Sequence, residues 1–179
     1  IETIYLGGGT PSQLAKEDFE AIFSHIYKVY KVTPNAEITL EANPDDLTSE
    51  YISMLRTFPF NRISMGIQTF QETTLKQLQR RHTADQAIRA FQGCRTAGFQ
   101  NISIDLMYGL PGETLTSWKK DLKQALSLHP EHISAYHLIY EEGTPLWKLR
   151  EQHKVEEADE DLSVSLFGTL IDELTTAGY

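Results

Sequence analysis

The sequence predicts an α/β protein built on a parallel sheet. Three observations predict it. Short strand-forming runs alternate with amphipathic helical stretches. The midpoints of successive runs are roughly 25 to 40 residues apart, the length of a βα unit. The unusual polar residues gather where the strands end. Five such units in a row imply right-handed crossovers and a parallel sheet. An open doubly wound sheet and part of a βα barrel both satisfy this pattern.

The first strand is Thr3–Leu6, which runs into Gly7-Gly8-Gly9-Thr10-Pro11. The spacing of Phe19, Ile22, Phe23, Ile26 and Tyr30 predicts a helix after it. The second strand, Glu37–Glu41, is followed by Ala42-Asn43-Pro44. The third is Arg62–Ile67, with Gln68 at its exit. A helix through Ile88, Phe91 and Cys94 comes next, opened by Thr83 or Asp85 and closed by Gly98. The fourth strand is Asn101–Met107, followed by Tyr108-Gly109-Leu110-Pro111-Gly112 and a helix carrying Leu122, Leu126 and Leu128. The fifth is His132–Leu138. A last amphipathic helix runs through Leu162, Leu166, Phe167, Leu170, Ile171 and Leu174. The acidic run Glu156–Asp161 suits the solvated start of that helix, because carboxylates favour a helix N-terminus.

Composition limits the function. The chain has 179 residues, and 16 Lys+Arg against 25 Asp+Glu give a net charge of −9. That balance argues against a nucleic-acid surface, which needs clustered cations. No apolar run approaches the ~20 residues needed to span a bilayer. Cys94 is the single cysteine. It excludes an internal disulfide, and an iron–sulfur cluster held by this chain alone. No targeting peptide is visible, and a cytoplasmic location is expected. The chain opens without Met in a strand pattern and stops at Gly178-Tyr179 just after a helical one. It is therefore expected to be one fragment, 1–179, of a larger barrel domain.

In parallel βα folds the C-terminal strand ends carry the chemistry. Here they hold the glycine triple, Glu41, Gln68 and Asp105. Glycines can expose backbone groups to a ligand. A carboxylate in an otherwise apolar strand needs a partner or a polar cavity. Arg80 and Arg81 suit a bidentate grip on a carboxylate. The six histidines form no metal-binding pair, and no metal ligand is assigned. Cys94, beside Phe91 and Phe99, is read as a core thiol rather than a nucleophile.

The ordered set Gly7–Pro11, Glu41–Pro44, Arg62–Phe70, Arg80–Thr83 and Asp105–Pro111 resembles one family. It is similar to the radical S-adenosylmethionine family of oxygen-independent coproporphyrinogen III oxidases (HemN) and their heme-chaperone relatives (HemW). The resemblance implies a partial (β/α)6 barrel of which this chain supplies strands two to six. It implies S-adenosylmethionine and a [4Fe–4S] cluster as cofactors. The cluster ligands would lie upstream of the glycine triple, outside this chain, and a C-terminal domain would follow. The parent would generate a 5′-deoxyadenosyl radical that abstracts a substrate hydrogen. The fragment by itself is expected to be inactive, so no catalytic residue is assigned.

The resemblance also implies residue roles. Gly8, Gly9 and Thr10 would line the methionine end of S-adenosylmethionine. Glu41 and Gln68 would make polar contacts to it, and Arg80 would pair with its carboxylate. Asp105 would accept from the ribose hydroxyls, and Ile139 would pack near the adenine. Gly66–Phe70, Arg80–Thr83 and Glu142–Pro145 look more like the chaperone branch. The oxidases usually carry Asp-Phe after the glutamine and another residue where His82 stands. The expected partners are then heme or porphyrinogen, and proteins that receive heme. His82 and His137 are heme-ligand candidates by residue type alone.

Overall fold

A computed structural model describes residues 1–179. Five strands form one parallel sheet in the order β1-β2-β3-β4-β5. They are β1 (Thr3–Leu6), β2 (Glu37–Ala42), β3 (Arg62–Gln68), β4 (Asn101–Tyr108) and β5 (His132–His137). The helices are α1 (Lys16–Val29), α2 (Ser49–Leu55), α3 (Glu72–Gln77), α4 (Ala84–Thr96), α5 (Leu115–Ser127), α6 (Pro145–Glu151) and α7 (Glu160–Thr176).

The sequential strand order decides between the two architectures. A doubly wound sheet reverses its order at a switch point, and this one never reverses. With every crossover right-handed, such an order puts the helices on one face. The other face becomes the inner wall of a barrel, as the resemblance implies.

Side-chain alternation separates the two faces. Ile38, Leu40 and Ala42 of β2, Ile63, Met65 and Ile67 of β3, and Ile102, Ile104 and Leu106 of β4 join the buried core with Phe19, Phe91, Trp118 and Leu166 from the helices. The opposite face carries Glu41, Ser64, Gly66 and Asp105, and the register sets Glu41 beside Ser64 and Gly66 beside Asp105. The Trp118 indole N–H donates to the Leu166 carbonyl at 3.1 Å and ties α5 to α7.

The strand ends lie within one residue of those expected from sequence. The helix signals also act as read. Thr83 caps α4 in a capping box with Gln86, Gly98 follows that helix at φ +95°, and the Asp159 carboxylate accepts the Leu162 N–H to open α7. Helices α2, α3 and α6 went unread. At 7, 6 and 7 residues they are too short to show a repeating apolar stripe.

Candidate functional site

A polar cavity of ≈ 180 Å³ opens at the C-terminal ends of β1 to β4. Gly9, Thr10, Glu41, Gln68, Arg80 and Asp105, residues separated by up to 96 positions in sequence, all line it.

The glycine turn after β1 is the first wall. Gly8 and Gly9 have φ of +76° and +62°, the left-handed region that favours glycine. Gly7 is needed for another reason. A Cβ there would lie 2.5 Å from Tyr5 Cε1 and 2.8 Å from Glu41 Cδ. Those two side chains meet across the glycine: the Tyr5 hydroxyl donates to Glu41 Oε1 at 2.7 Å, and the Gly8 N–H donates to Glu41 Oε2 at 2.9 Å. Burial, and then Glu41 itself, pushes the Tyr5 phenol up to about 12. Buried Ser12 continues the wall, accepting from the Asn43 N–H and donating to Asp46.

Arg80 is the cationic wall. Its Nη2 donates to Asn43 Oδ1 at 2.8 Å and to the Gly66 carbonyl at 3.0 Å. Its Nε is buried without a partner, and burial lowers its pKa. Gly66 makes room for this arrangement, since a Cβ there would sit 3.1 Å from Gln68 Nε2 and 3.5 Å from Arg80 Nη2. Arg81 points elsewhere and pairs with Asp45 and Asp46, each at 3.0 Å. Residue chemistry alone suits both arginines to a carboxylate, while the resemblance implies Arg80.

Asp105 is the floor. The Ser64 hydroxyl donates to its Oδ1 at 3.5 Å. Burial raises its carboxyl above the ordinary range, the charge of Glu41 adds to that, and the Ser134 and Ser64 hydroxyls oppose it. The cavity thus offers a guanidinium for an anion, a carboxylate for hydroxyls, and backbone groups for close approach. Asn43 and Ser64 were missed as site residues. Asn43 sits two positions after Glu41, and Ser64 shares the parity of Gly66 and Gln68 along β3, so period-two alternation would have found Ser64.

Other expected residues lie elsewhere. Gly8 stands just outside the cavity wall, with its N–H committed to Glu41. The structure does not bring Ile139 to the pocket: its side chain is 74% exposed. The chain turns there because the Leu138 N–H bonds the Tyr108 carbonyl and Leu138 buries against Leu110 and Tyr140, which throws the next side chain outward. Buried His82 sits 3.1 Å through Nε2 from the Ile67 carbonyl. His137 lies within 2.8 Å of the Leu138 carbonyl and 3.0 Å of the Ser163 hydroxyl. Both rings are engaged within the protein. Cys94 is fully buried, and burial pushes its thiol up to about 12. No group of three His, Cys, Asp or Glu side chains is arranged to hold a metal, and no helix is long and apolar enough to cross a membrane.

Known proteins resemble this chain in sequence and fold. The sequence profile of the radical SAM superfamily matches residues 1–125. The heme chaperone HemW of Bacillus subtilis is 35% identical over 179 residues, covering 99% of this chain and 47% of that protein. The oxygen-independent coproporphyrinogen III oxidase of Synechocystis is 31% identical over 180 residues, covering all of this chain and 38% of that protein. Among solved structures, the coproporphyrinogen III oxidase HemN of Escherichia coli aligns over the whole chain with a TM-score of 0.86 at 26% identity, covering 41% of that protein. The chain spans about half, or less, of the length of each of these relatives.

Proposed function

Because the chain belongs to the radical SAM superfamily, we propose that its strand-end cavity binds S-adenosylmethionine. The observation that carries this reading is the convergence of Thr10, Glu41, Gln68, Arg80 and Asp105 on one cavity from separate elements. The donor set fits the ligand. Arg80, with its Nε unpartnered, would take the methionine carboxylate. Asp105 would accept from the ribose hydroxyls. Gly9, Thr10 and the neighbouring Gly8 would approach the methionine end, which Gly66 leaves uncrowded. Glu41 and Gln68 would make polar contacts from facing walls. Exposed Ile139 would meet the adenine only from the rim.

The [4Fe–4S] cluster of the family does not fit this chain, whose single cysteine is buried in the core. A cluster would need cysteines from outside residues 1–179, and we place the chain as one barrel unit of a longer protein that supplies them and a further C-terminal domain. S-adenosylmethionine bound beside such a cluster supplies hydrogen-atom abstraction; the residues here bind and orient it.

For the whole protein we favour the heme-chaperone branch, with heme and a heme-receiving protein as its partners. Several HemW proteins match the whole chain at 30–37% identity, against 31% for the oxidase, and the resemblance has the oxidases differ where His82 stands. The second reading is oxidative decarboxylation of coproporphyrinogen III, favoured by the 0.86 TM-score to HemN.

The first test is calorimetric titration of S-adenosylmethionine into the longer protein, reconstituted anaerobically with iron and sulfide. Saturable binding that weakens in Asp105→Ala and Arg80→Ala supports the site, and absence of binding removes it. The branch is decided on the longer protein, reconstituted anaerobically with iron and sulfide. Stoichiometric heme binding without porphyrinogen turnover supports the chaperone, and turnover supports the oxidase.

A further inference from the structure

The exit of β3 is irregular. Gly66 pairs with Asp105 but Gln68 pairs with Leu106, so Ile67 is an extra residue in a bulge. Bulges are rare in parallel pairs and occur beside sites where a side chain is re-aimed. Gln68 itself has φ +72°, a conformation uncommon for a residue with a Cβ. The Thr69 N–H donates back to the Ile67 carbonyl at 3.0 Å, which closes a three-residue turn around Gln68. Such strained backbone persists only where its surroundings over-determine it.

Three side chains hold this turn. Arg80 donates to the Gly66 carbonyl before it. His82 approaches the Ile67 carbonyl with Nε2; a carbonyl only accepts, so that nitrogen carries the proton. Asp121 does the rest from α5, 52 positions after Thr69. Its carboxylate accepts the Thr69 hydroxyl, the Phe70 N–H at 3.2 Å and the Gln71 side-chain amide at 2.8 Å. The Gln71 N–H in turn donates to Thr69 Oγ1 at 3.0 Å. Asp121 has no exposed surface, and its hydrogen-bond partners all belong to this loop. Burial raises its carboxyl above the ordinary range. A fully buried carboxylate without a cation is costly, yet every bond it makes is to the three residues that follow Gln68.

We propose that Asp121 is a positioning residue for the cavity, acting through the Thr69–Gln71 loop to hold Gln68 in its left-handed turn with its amide on the ligand wall. This rests on the reading of the cavity as an S-adenosylmethionine site. Asp121 touches no ligand; it decides where Gln68 stands.

The test compares Gln68→Ala, Asp121→Ala and the double variant of the longer protein, reconstituted with iron and sulfide, by calorimetric titration with S-adenosylmethionine. Asp121→Ala is expected to weaken binding about tenfold in the wild-type background and less than twofold in the Gln68→Ala background, because coupled residues are non-additive. Asp121→Asn keeps an acceptor for Phe70 and Gln71 and is expected to recover most of the affinity. Unchanged affinity in Asp121→Ala overturns the proposal, as does a full tenfold loss that persists without the Gln68 side chain. A ligand-free measurement separates this proposal from the binding reading. Amide exchange at Thr69 is expected to accelerate more than tenfold in Asp121→Ala, while Ile63 and Ile104 stay protected. Unchanged protection at Thr69 overturns the proposal even if S-adenosylmethionine fails to bind the wild type. Thr69→Val, which removes the hydroxyl at constant shape, replaces Asp121→Ala in both measurements if that variant does not fold.

Discussion

Glu41 holds the Gly8 turn from the neighbouring strand: its Oε2 accepts the Gly8 N–H at 2.9 Å while its Oε1 accepts the Tyr5 hydroxyl. The carboxylate therefore shapes the glycine wall before any ligand arrives. Gly7 makes the contact possible by having no Cβ.

Gly7→Ala should consequently damage the site more than the fold. The new methyl group forces either the Tyr5 ring or the Glu41 carboxylate aside and breaks their hydrogen bond. Loss of one charge-assisted bond is of order 1.5–3 kcal/mol. Affinity for S-adenosylmethionine is expected to fall at least tenfold, with a smaller shift in the denaturant midpoint. An unchanged affinity, measured by titration beside the wild type, would show that the Tyr5–Glu41–Gly8 bridge is dispensable.

Asp105→Asn should trade binding for stability. The folded carboxyl titrates above its ordinary 3.8, chiefly because it is buried. Between the unfolded and folded values, the folded chain holds a proton that the unfolded chain has released. Stability from this group therefore falls as pH rises through that window and is flat above it. The amide escapes this loss, so the variant should be more stable than wild type at pH 7 and bind S-adenosylmethionine about tenfold more weakly, given the greater strength of charged acceptors. Urea unfolding and calorimetry on the same samples check both halves.

Glu113 should impose a pH dependence away from the cavity. Its Oε2 accepts the Gly109 N–H at 2.6 Å and the Leu110 N–H at 3.3 Å, closing the loop after β4. Burial pushes its carboxyl from 4.5 to about 7, against the pull of those two N–H groups. The folded chain keeps the proton longer, so this contribution to stability declines as pH rises from 4.5 to about 7. Glu113→Gln should reduce the fall in melting temperature across that window. A wild-type slope retained in the variant would assign the dependence to another group.

Cys94 should be inert while the chain is folded. It is fully buried, and its thiol is pushed up to about 12 by burial, with Arg95 opposing only in part. A thiolate is the reactive form. An aromatic disulfide reagent at pH 8 should modify it only at the rate of unfolding, rising with urea as the circular dichroism is lost. Rapid modification in buffer would mean that the α4 face opens locally.

Much of this arrangement was legible in the residues because it rests on local periodicity. Strands of alternating or continuous apolar character, separated by amphipathic helices, announce a parallel sheet wherever the chain is met. Glu41 and Asp105 stand out because a carboxylate within an apolar strand demands a polar surrounding. Thr83, Gly98 and Asp159 mark helix ends through bonds that span only a few positions, so their chemistry is written locally.

What the tertiary structure alone decided has another physical origin. The sequential strand order removed the doubly wound alternative, which no periodicity distinguishes. Arg81 turns away from the cavity to pair with Asp45 and Asp46, which local spacing does not report. Ile139 stands exposed, outside the cavity lining, while the neighbouring Leu138 is buried against Leu110 and Tyr140. The bulge at Ile67 and the left-handed Gln68 are fixed by Arg80, His82 and Asp121, of which Asp121 lies 52 positions beyond Thr69. Local pattern reports which face of a strand or helix is apolar, because burial repeats with the backbone period. It does not report how distant side chains share one buried carbonyl or carboxylate, because those bonds exist only once packing has brought their partners within hydrogen-bond reach.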